Sequence, residues 1–486
     1  MEPSNYLMLV ISSCFLFFLV VAGKESAFKR SEEGEIQAKS RHYQTFPLSS
    51  FQPSSICSPS TNGDKKRGSL EVVHKHGPCS NFNKDIVKPL TVEEIFTHDQ
   101  SRVDSINSRL RAAITTTGKD DTKTSMTTLP AKPGTTIDSF NYIVTIGLGT
   151  PKKPLSLIFD TGSDLTWTQC EPCIVSCYKQ QEPIFSPSSS TTYTNISCTS
   201  TDCSDLMSAT GQPPRCITSN CVYETGYGDG SFSVGYFVKD TLTLTSDDVI
   251  DGFLFGCGQN NGGLFRGAAG LIGLGRDKLS LVLQSANRYG KVFSYCLPST
   301  DSSIGYLKFG SNEIGSNVAY TPLVESQQGS SFYDLDLEAI YVGEKKLEIN
   351  PTVFKTSGMI IDSGTVITRV PPTAYSALRE AFRAEMTQYP LVNASSRLDT
   401  CYDLSKYGDG NVTIPTMSFV WGGNVKIEIP PQGVLYHFDG GVYCLGFIAN
   451  QDDSDIGIFG NTQQKTLEVV YDVAGGKVGF GSGGCA

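Results

Sequence analysis

A chain of 486 residues can bury more than one core, so a single small module is excluded. Only 18% of residues are charged, whereas glycine (48) and aromatics (10%) are plentiful, which suits a turn-rich β protein. The net charge of −10 argues against nucleic acid as the main partner.

Residues 6–22 form an apolar run ending in the small residues Val21-Ala22-Gly23, so residues 1–23 are expected to be a signal peptide. The run lacks a preceding Lys or Arg, and a membrane anchor is the competing reading. No second hydrophobic span follows and the tail GSGGCA carries no lipid-anchor signal, so no stable membrane anchor is expected. Residues 24–130 are rich in Ser, Thr and Lys, and the spacing of apolar residues predicts one amphipathic helix over 92–113. Residues 24–128 carry 16 Lys and Arg against 13 Asp and Glu, while the chain after 128 is net −12. A basic leader on an acidic body reads as a propeptide docked by charge, loosened by acid and partly by salt. A leader lysine is expected near Asp160 and Asp362. A disordered linker is the alternative, and Lys65-Lys66-Arg67 fits either a processing site or a nucleic-acid contact.

From Tyr142 onward short strand-like runs alternate with Gly, Pro, Asn and Asp turns. Residues 142–146 alternate, turn at 147–154, and lead into an apolar run ending in Asp160-Thr161-Gly162-Ser163-Asp164. A hairpin pairing residues 333–340 with 341–349 precedes a second apolar run ending in Asp362-Ser363-Gly364-Thr365. Each half also contains a later apolar run with glycines, 270–275 and 456–461. The order occurs twice, so the fold predicted is all-β and bilobal. Residues 131–320 and 321–486 would form the two lobes, each supplying one aspartate to the cleft between them. Two carboxyls forced together share one proton, so one can take a proton from water while the other polarises a carbonyl. Thr161 and Ser163, with Ser363 and Thr365, could hold the pair coplanar by hydrogen bonds. The bland alternative is two unrelated surface turns.

Fifteen cysteines fall as Cys14 in the signal, Cys57 and Cys79 in the leader, and twelve in the body. The even body count predicts disulfides and an oxidising route. Cys170, Cys173 and Cys177 have a spacing that could also bind zinc, but only one of five histidines, His437, lies beyond the leader. That also argues against a Ser-His or Cys-His nucleophile, and no metal is expected. Sequons at Asn195, Asn393 and Asn411 fit a secretory route.

With these residues in view, the chain resembles the pepsin-like aspartic proteases, in the plant nepenthesin-like branch. The resemblance covers residues 142–485, and SLEVVHKHGPCS at 69–80 is similar to the leaders of that branch. Tyr227-Gly228-Asp229-Gly230-Ser231, by itself only a turn between strands, resembles the flap hairpin that closes over substrate. Trp167 matches the tryptophan that supports the flap tyrosine. The resemblance implies disulfides Cys170–Cys173, Cys177–Cys257, Cys198–Cys221, Cys203–Cys216, Cys296–Cys485 and Cys401–Cys444. Asp164, where such enzymes often carry Ser, and D-S-G in place of D-T-G at Asp362 are both usual in the plant members. The implied function is a secreted, monomeric endopeptidase made as a zymogen. It would cut proteins or peptides at acidic pH, without cofactor or covalent intermediate, from a mature start near 129–136. Its partners would be its substrates and its own propeptide, with no nucleic acid for the mature form. Apoplast and vacuole are both compatible. The rival is a catalytically silent binding or inhibitor protein, which would usually lack one aspartate or the flap tyrosine; Asp160, Asp362 and Tyr227 are all present.

Overall fold

The computed structural model describes residues 42–52, 54–58, 68–82, 91–116 (side chains to 110), 142–246, 248–263, 265, 267–311, 314–325 and 331–485. The expected signal peptide, the Lys65-Lys66-Arg67 cluster and the expected start of the mature chain lie outside these residues.

The described leader contains two strands, a short 3-10 turn at Leu48–Phe51 and one α-helix. Strand β1 (Tyr43–Pro47) is followed by strand β2 (Ser69–His74) and helix α1 (Val92–Thr116). Helix α1 opens on a reciprocal cap: Thr91 Oγ1 accepts from the Glu94 N–H at 3.3 Å, and Glu94 accepts from the Thr91 N–H at 2.9 Å. Its buried residues Phe96, Val103, Ile106 and Leu110 recur at three- to seven-residue spacing, one face of a 3.6-residue helix.

The body begins with β3 (Tyr142–Leu148), β4 (Lys153–Asp160) and β5 (Trp167–Gln169). A long hairpin follows, β6 (Asn220–Gly226) with β7 (Phe232–Thr245), then β8 (Asp248–Gly262), β9 (Gly270–Gly273) and β10 (Ile304–Phe309). The second half contains β11 (Met359–Ile361), β12 (Thr368–Val370), β13 (Asn411–Pro415) and β14 (Gly457–Phe459). Strand β4 pairs in parallel with β9, setting Asp160 opposite Gly273; β11 pairs in parallel with β14, setting Ile361 opposite Phe459. The two Gly-containing apolar runs thus flank the two aspartate strands in the same way. Both faces of these strands are buried, which is why they read as unbroken apolar runs.

One large sheet runs through the molecule and includes strands from both halves of the chain: Glu468–Asp472 pairs with Val292–Cys296, which pairs with β10. The leader strand β2 lies inside this sheet, between β10 and β3, with Val73 opposite both Ile304 and Ile143. Strand β1 pairs antiparallel with β13, and Phe46, Leu48 and Phe51 behind it are buried, Phe51 edge-on to Tyr443 at 5.3 Å.

The hairpin expected to turn between residues 340 and 341 turns later. Leu337–Val342 pairs with Lys345–Lys346 across Gly343, whose φ of +60° suits glycine. Residues 333–340 are not one strand either, since Tyr333–Leu335 joins β11 and Leu337–Val342 joins Met417–Trp421. Among the described residues no helix is long and apolar enough to cross a membrane.

Candidate active site

Strands β4 and β11 deliver Asp160 and Asp362 to facing turns. Each aspartate accepts one backbone and one hydroxyl bond from its own turn: Gly162 N–H at 3.0 Å and Ser163 at 2.7 Å for Asp160, Gly364 N–H at 2.9 Å and Thr365 at 2.6 Å for Asp362. The turns are bolted together reciprocally. The Thr161 N–H donates to Ser363 Oγ at 3.1 Å, and the Ser363 N–H donates to Thr161 Oγ1 at 2.9 Å. Ser363 makes this contact as threonine would, so the D-S-G variant loses no bond here. Glycine is required in both turns: a Cβ on Gly162 would come within 2.8 Å of Asp362 Oδ1, and one on Gly364 within 2.5 Å of Asp160 Oδ1.

Both carboxyls are completely buried, and an arginine lies between them. Arg102 of α1 donates through Nη2 to Asp160 Oδ1 at 2.7 Å, and through Nε and Nη2 to the two Asp362 oxygens, each at 2.9 Å. The leader does place a cation on the pair, but it is arginine and not the expected lysine. A planar guanidinium can bond two carboxylates at once, which a single ammonium cannot do with comparable geometry. Burial pushes the Asp160 carboxyl above its ordinary value; the Arg102 charge opposes this, and the neighbouring Asp362 adds to it. Burial also acts to raise Asp362, but the Arg102 charge and hydrogen bonds more than reverse it, and Asp362 ends below its ordinary value. Burial disfavours the Arg102 charge, yet the two aspartates outweigh it and hold the guanidinium protonated.

The turn 227–231 sits over this ion triad. Trp167 Nε1 donates to the Tyr227 hydroxyl at 2.8 Å, and Phe265 packs edge-on to both rings at 4.8 and 5.3 Å. The turn closes with the Tyr227 N–H on Ser231 O at 2.8 Å and the Ser231 N–H on Asp229 at 2.9 Å, with Gly230 at φ +81°. Gly228 lies directly on α1: a Cβ there would meet Ser105 Cβ at 2.2 Å. Asp164 is also buried in this region. Its Oδ1 accepts the Asp277 N–H at 2.8 Å, and burial pushes its carboxyl up to about 7, against the Ser331 hydroxyl, the Asp277 N–H and the leader's Arg109.

The rest of α1 is fixed to the second half of the chain. Glu93 accepts from Ser395 and Ser396, Phe96 packs on Tyr436, and Asn107 accepts the Ile456 N–H at 2.9 Å. Asp99 accepts from the Val366 and Ile367 N–H groups at 2.6 and 3.3 Å and pairs with Arg369 at 2.8 Å. Arg102 and Asp99 are the functional residues that the sequence reading missed. The available signal was two charges set among the apolar positions of one helix face.

All twelve body cysteines are disulfide-bonded, but four of the six expected pairs are replaced. Cys170 joins Cys257 because β5 runs parallel to β8 with Thr168 opposite Cys257, which brings the two cysteine Cα atoms to 5.3 Å. Cys173, turned back at φ +53°, then meets Cys177. No free thiolate is left in this trio for zinc. Cys203 and Cys221, both buried, join in the core, while the more exposed Cys198 and Cys216 join above them. Cys296–Cys485 and Cys401–Cys444 pair as expected, and Cys57–Cys79 adds a bond within the leader. The side chains of Asn195, Asn393 and Asn411 are exposed, and His437 packs on Tyr443 in a hairpin, away from the aspartates.

A family described as xylanase inhibitor N-terminal matches residues 142–311, and its companion, xylanase inhibitor C-terminal, matches 332–482. An Arabidopsis thaliana aspartyl protease family protein is 53% identical over 444 residues, 91% of this chain and 93% of its own length. Aspartic proteinase nepenthesin-1 of Nepenthes gracilis is 37% identical over 71% of this chain and 78% of its own length. The crystal structure of basic 7S globulin from soybean superposes with a TM-score of 0.56 at 23% identity, over 70% of this chain and 90% of that one, which shows the fold alone. Two aspartate turns locked to each other under a tyrosine-tipped hairpin, on a duplicated β frame, agree with these matches: the chain belongs to the pepsin-like aspartic proteases, in their plant nepenthesin-like branch.

Proposed function

We propose that this aspartic protease is made as a secreted zymogen whose leader blocks its own catalytic pair, and that it hydrolyses peptide bonds in acid through Asp160 and Asp362. The observation that carries this reading is Arg102, which occupies the space between the two carboxyls. Once α1 leaves, the carboxyls lose their shared cation and together retain one proton. The ionised member takes a proton from water as the water oxygen bonds to the peptide carbon; the protonated member gives its proton to the carbonyl oxygen. Collapse of the tetrahedral intermediate breaks the C–N bond, with a proton passing to the leaving nitrogen. Tyr227, held by Trp167, would close over the substrate. The exposed sequon asparagines and the disulfides favour a secretory route, to the apoplast or vacuole, and glycosylation.

Asp160→Asn and Asp362→Asn should each remove more than 95% of peptide hydrolysis with the thermal unfolding profile retained, since neither carboxyl works alone. Purified precursor brought to acid should lose its leader by cleavage between about Thr115 and Thr136, and the Asp160→Asn precursor should not. Activity persisting in either variant sinks the dyad. Equal processing of pure Asp160→Asn precursor sinks self-activation alone.

A further inference from the structure

Beside the catalytic pair lies a second polar cradle that hydrolysis does not use. The run carrying Asp362 continues through Val366 and Ile367 to Arg369 on β12, an interior strand of a five-stranded sheet. Arg369 is 0% exposed, and among the described residues its guanidinium donates to two leader residues, Asp99 at 2.8 Å and Gln100 at 3.0 Å. The Val366 and Ile367 N–H groups converge on the same Asp99 carboxylate at 2.6 and 3.3 Å. Two backbone donors and a guanidinium around one carboxylate make a built anion site.

Leaving the leader removes that carboxylate but not the site. The guanidinium and two N–H groups that faced Asp99 then face the cleft, where water or a cleft ligand satisfies them, and an anionic ligand does so with charge-assisted bonds. Asp99 precedes Arg102 by three residues, about one helical turn or ~5 Å along α1. An extended peptide covers that distance in two residues at ~3.3 Å each. Whatever peptide lies against Asp160 and Asp362 therefore passes the cradle within about three residues of its scissile bond.

Resting on the protease reading above, we propose that Val366, Ile367 and Arg369 form a carboxylate-binding subsite of the mature enzyme, which selects substrates with an aspartate or glutamate near the cleaved bond. The leader's Asp99 holds the position that the substrate's acid takes. Recognition requires the ionised acid, so the preference fades as pH falls through the peptide carboxyl range.

The test uses leader-free protein and paired peptides differing only by Glu against Gln, scanned over three positions on each side of the scissile bond. Hydrolysis is read as kcat/KM, and binding is read separately with reduced-amide versions that cannot be cut. One position should favour Glu by roughly ten- to hundredfold near pH 5.5, as expected for a desolvated charge-assisted bond. That advantage should disappear in Arg369→Gln, survive in part in Arg369→Lys, and shrink toward pH 3 in the unmutated protein. Equal affinity for Glu and Gln at all positions overturns the subsite, as does a Glu preference unchanged in Arg369→Gln. If that variant does not fold, Arg369→Lys and the pH dependence of the unmutated protein decide. Tight Glu-dependent binding with no hydrolysis of any peptide overturns the protease reading and leaves the subsite standing.

Discussion

At the scale of single residues, the proposed function makes Arg102 the group that sets the state of the aspartate pair. Its side chain and both aspartates are buried, so removing it takes the buried cation from the pair, leaves the two carboxyls to share a proton, and costs the leader its ion pair. Losing one partner of such a group costs about 3–5 kcal/mol, a hundredfold or more in leader affinity. Arg102→Gln precursor should therefore cleave a fluorogenic peptide at pH 6, where unmutated precursor is silent, while mass spectrometry still finds the leader attached. The pH sign follows from the two carboxyls. Asp160, raised by burial, takes its proton first as pH falls, and its pairing with Arg102 is lost first. Asp362, held low by Arg102, keeps its share of the pairing until lower pH. The aspartates and the hydroxyl residues beside them were legible in the sequence because motif and contact are local. Arg102 was not: apolar periodicity predicts α1, but which turn enters the cleft depends on both halves of the chain.

At the scale of elements, the zymogen reading gains a second acid-sensitive group absent from the sequence reading, three histidines of the leader. His74 and His76 on and after β2, and His98 in α1, are all shifted below the ordinary imidazole value, first by burial. Lys75 adds to the lowering at His76, which falls to about 2, and with Lys465 at His74; Asp301 opposes at His74, and Asp229 and Glu94 oppose at His98. A group held neutral in this way stabilises docking above an ordinary pKa of about 6.5 and destabilises it as pH falls below that. Leader release should then begin above the carboxylate range. Replacing His76 by Phe removes one such proton uptake, so the pH at which precursor activity first appears should move downward; an unchanged onset would assign the trigger to the carboxylates alone. The strands flanking both aspartates were readable as apolar runs, whereas the cysteine pairing was not. Within 170–221, close spacing leaves several partners in reach, and the register of β5 on β8 makes the choice.

At the scale of the whole molecule, the leader is held at separate places: β1 on β13, β2 inside the large sheet, and α1 over the aspartates. The sequence predicted a basic leader attracted to an acidic body, and that charge asymmetry is real. Among the described residues the contacts include strand ladders, buried apolar side chains and the buried ion pairs of Arg102 with the dyad and Asp99 with Arg369. Salt screens exposed charges within a Debye length of about 3 Å at 1 M but affects buried pairs far less. Contrary to expectation from net charge, 1 M NaCl at pH 7 should leave precursor inactive, measured with the same fluorogenic peptide, while acid at low salt activates it.

Strand β2 ties the leader to the large sheet. It is hydrogen-bonded on both sides, to β10 and to β3, and β3 is the first described strand of the body. Pulling it out opens a slot one strand wide whose two rims each present unpaired N–H and C=O groups. On the zymogen reading, release of the leader therefore breaks two strand ladders in addition to the α1 contacts. On that reading activation opens the large sheet itself as well as unplugging the cleft, and its barrier should reflect the rupture of both ladders.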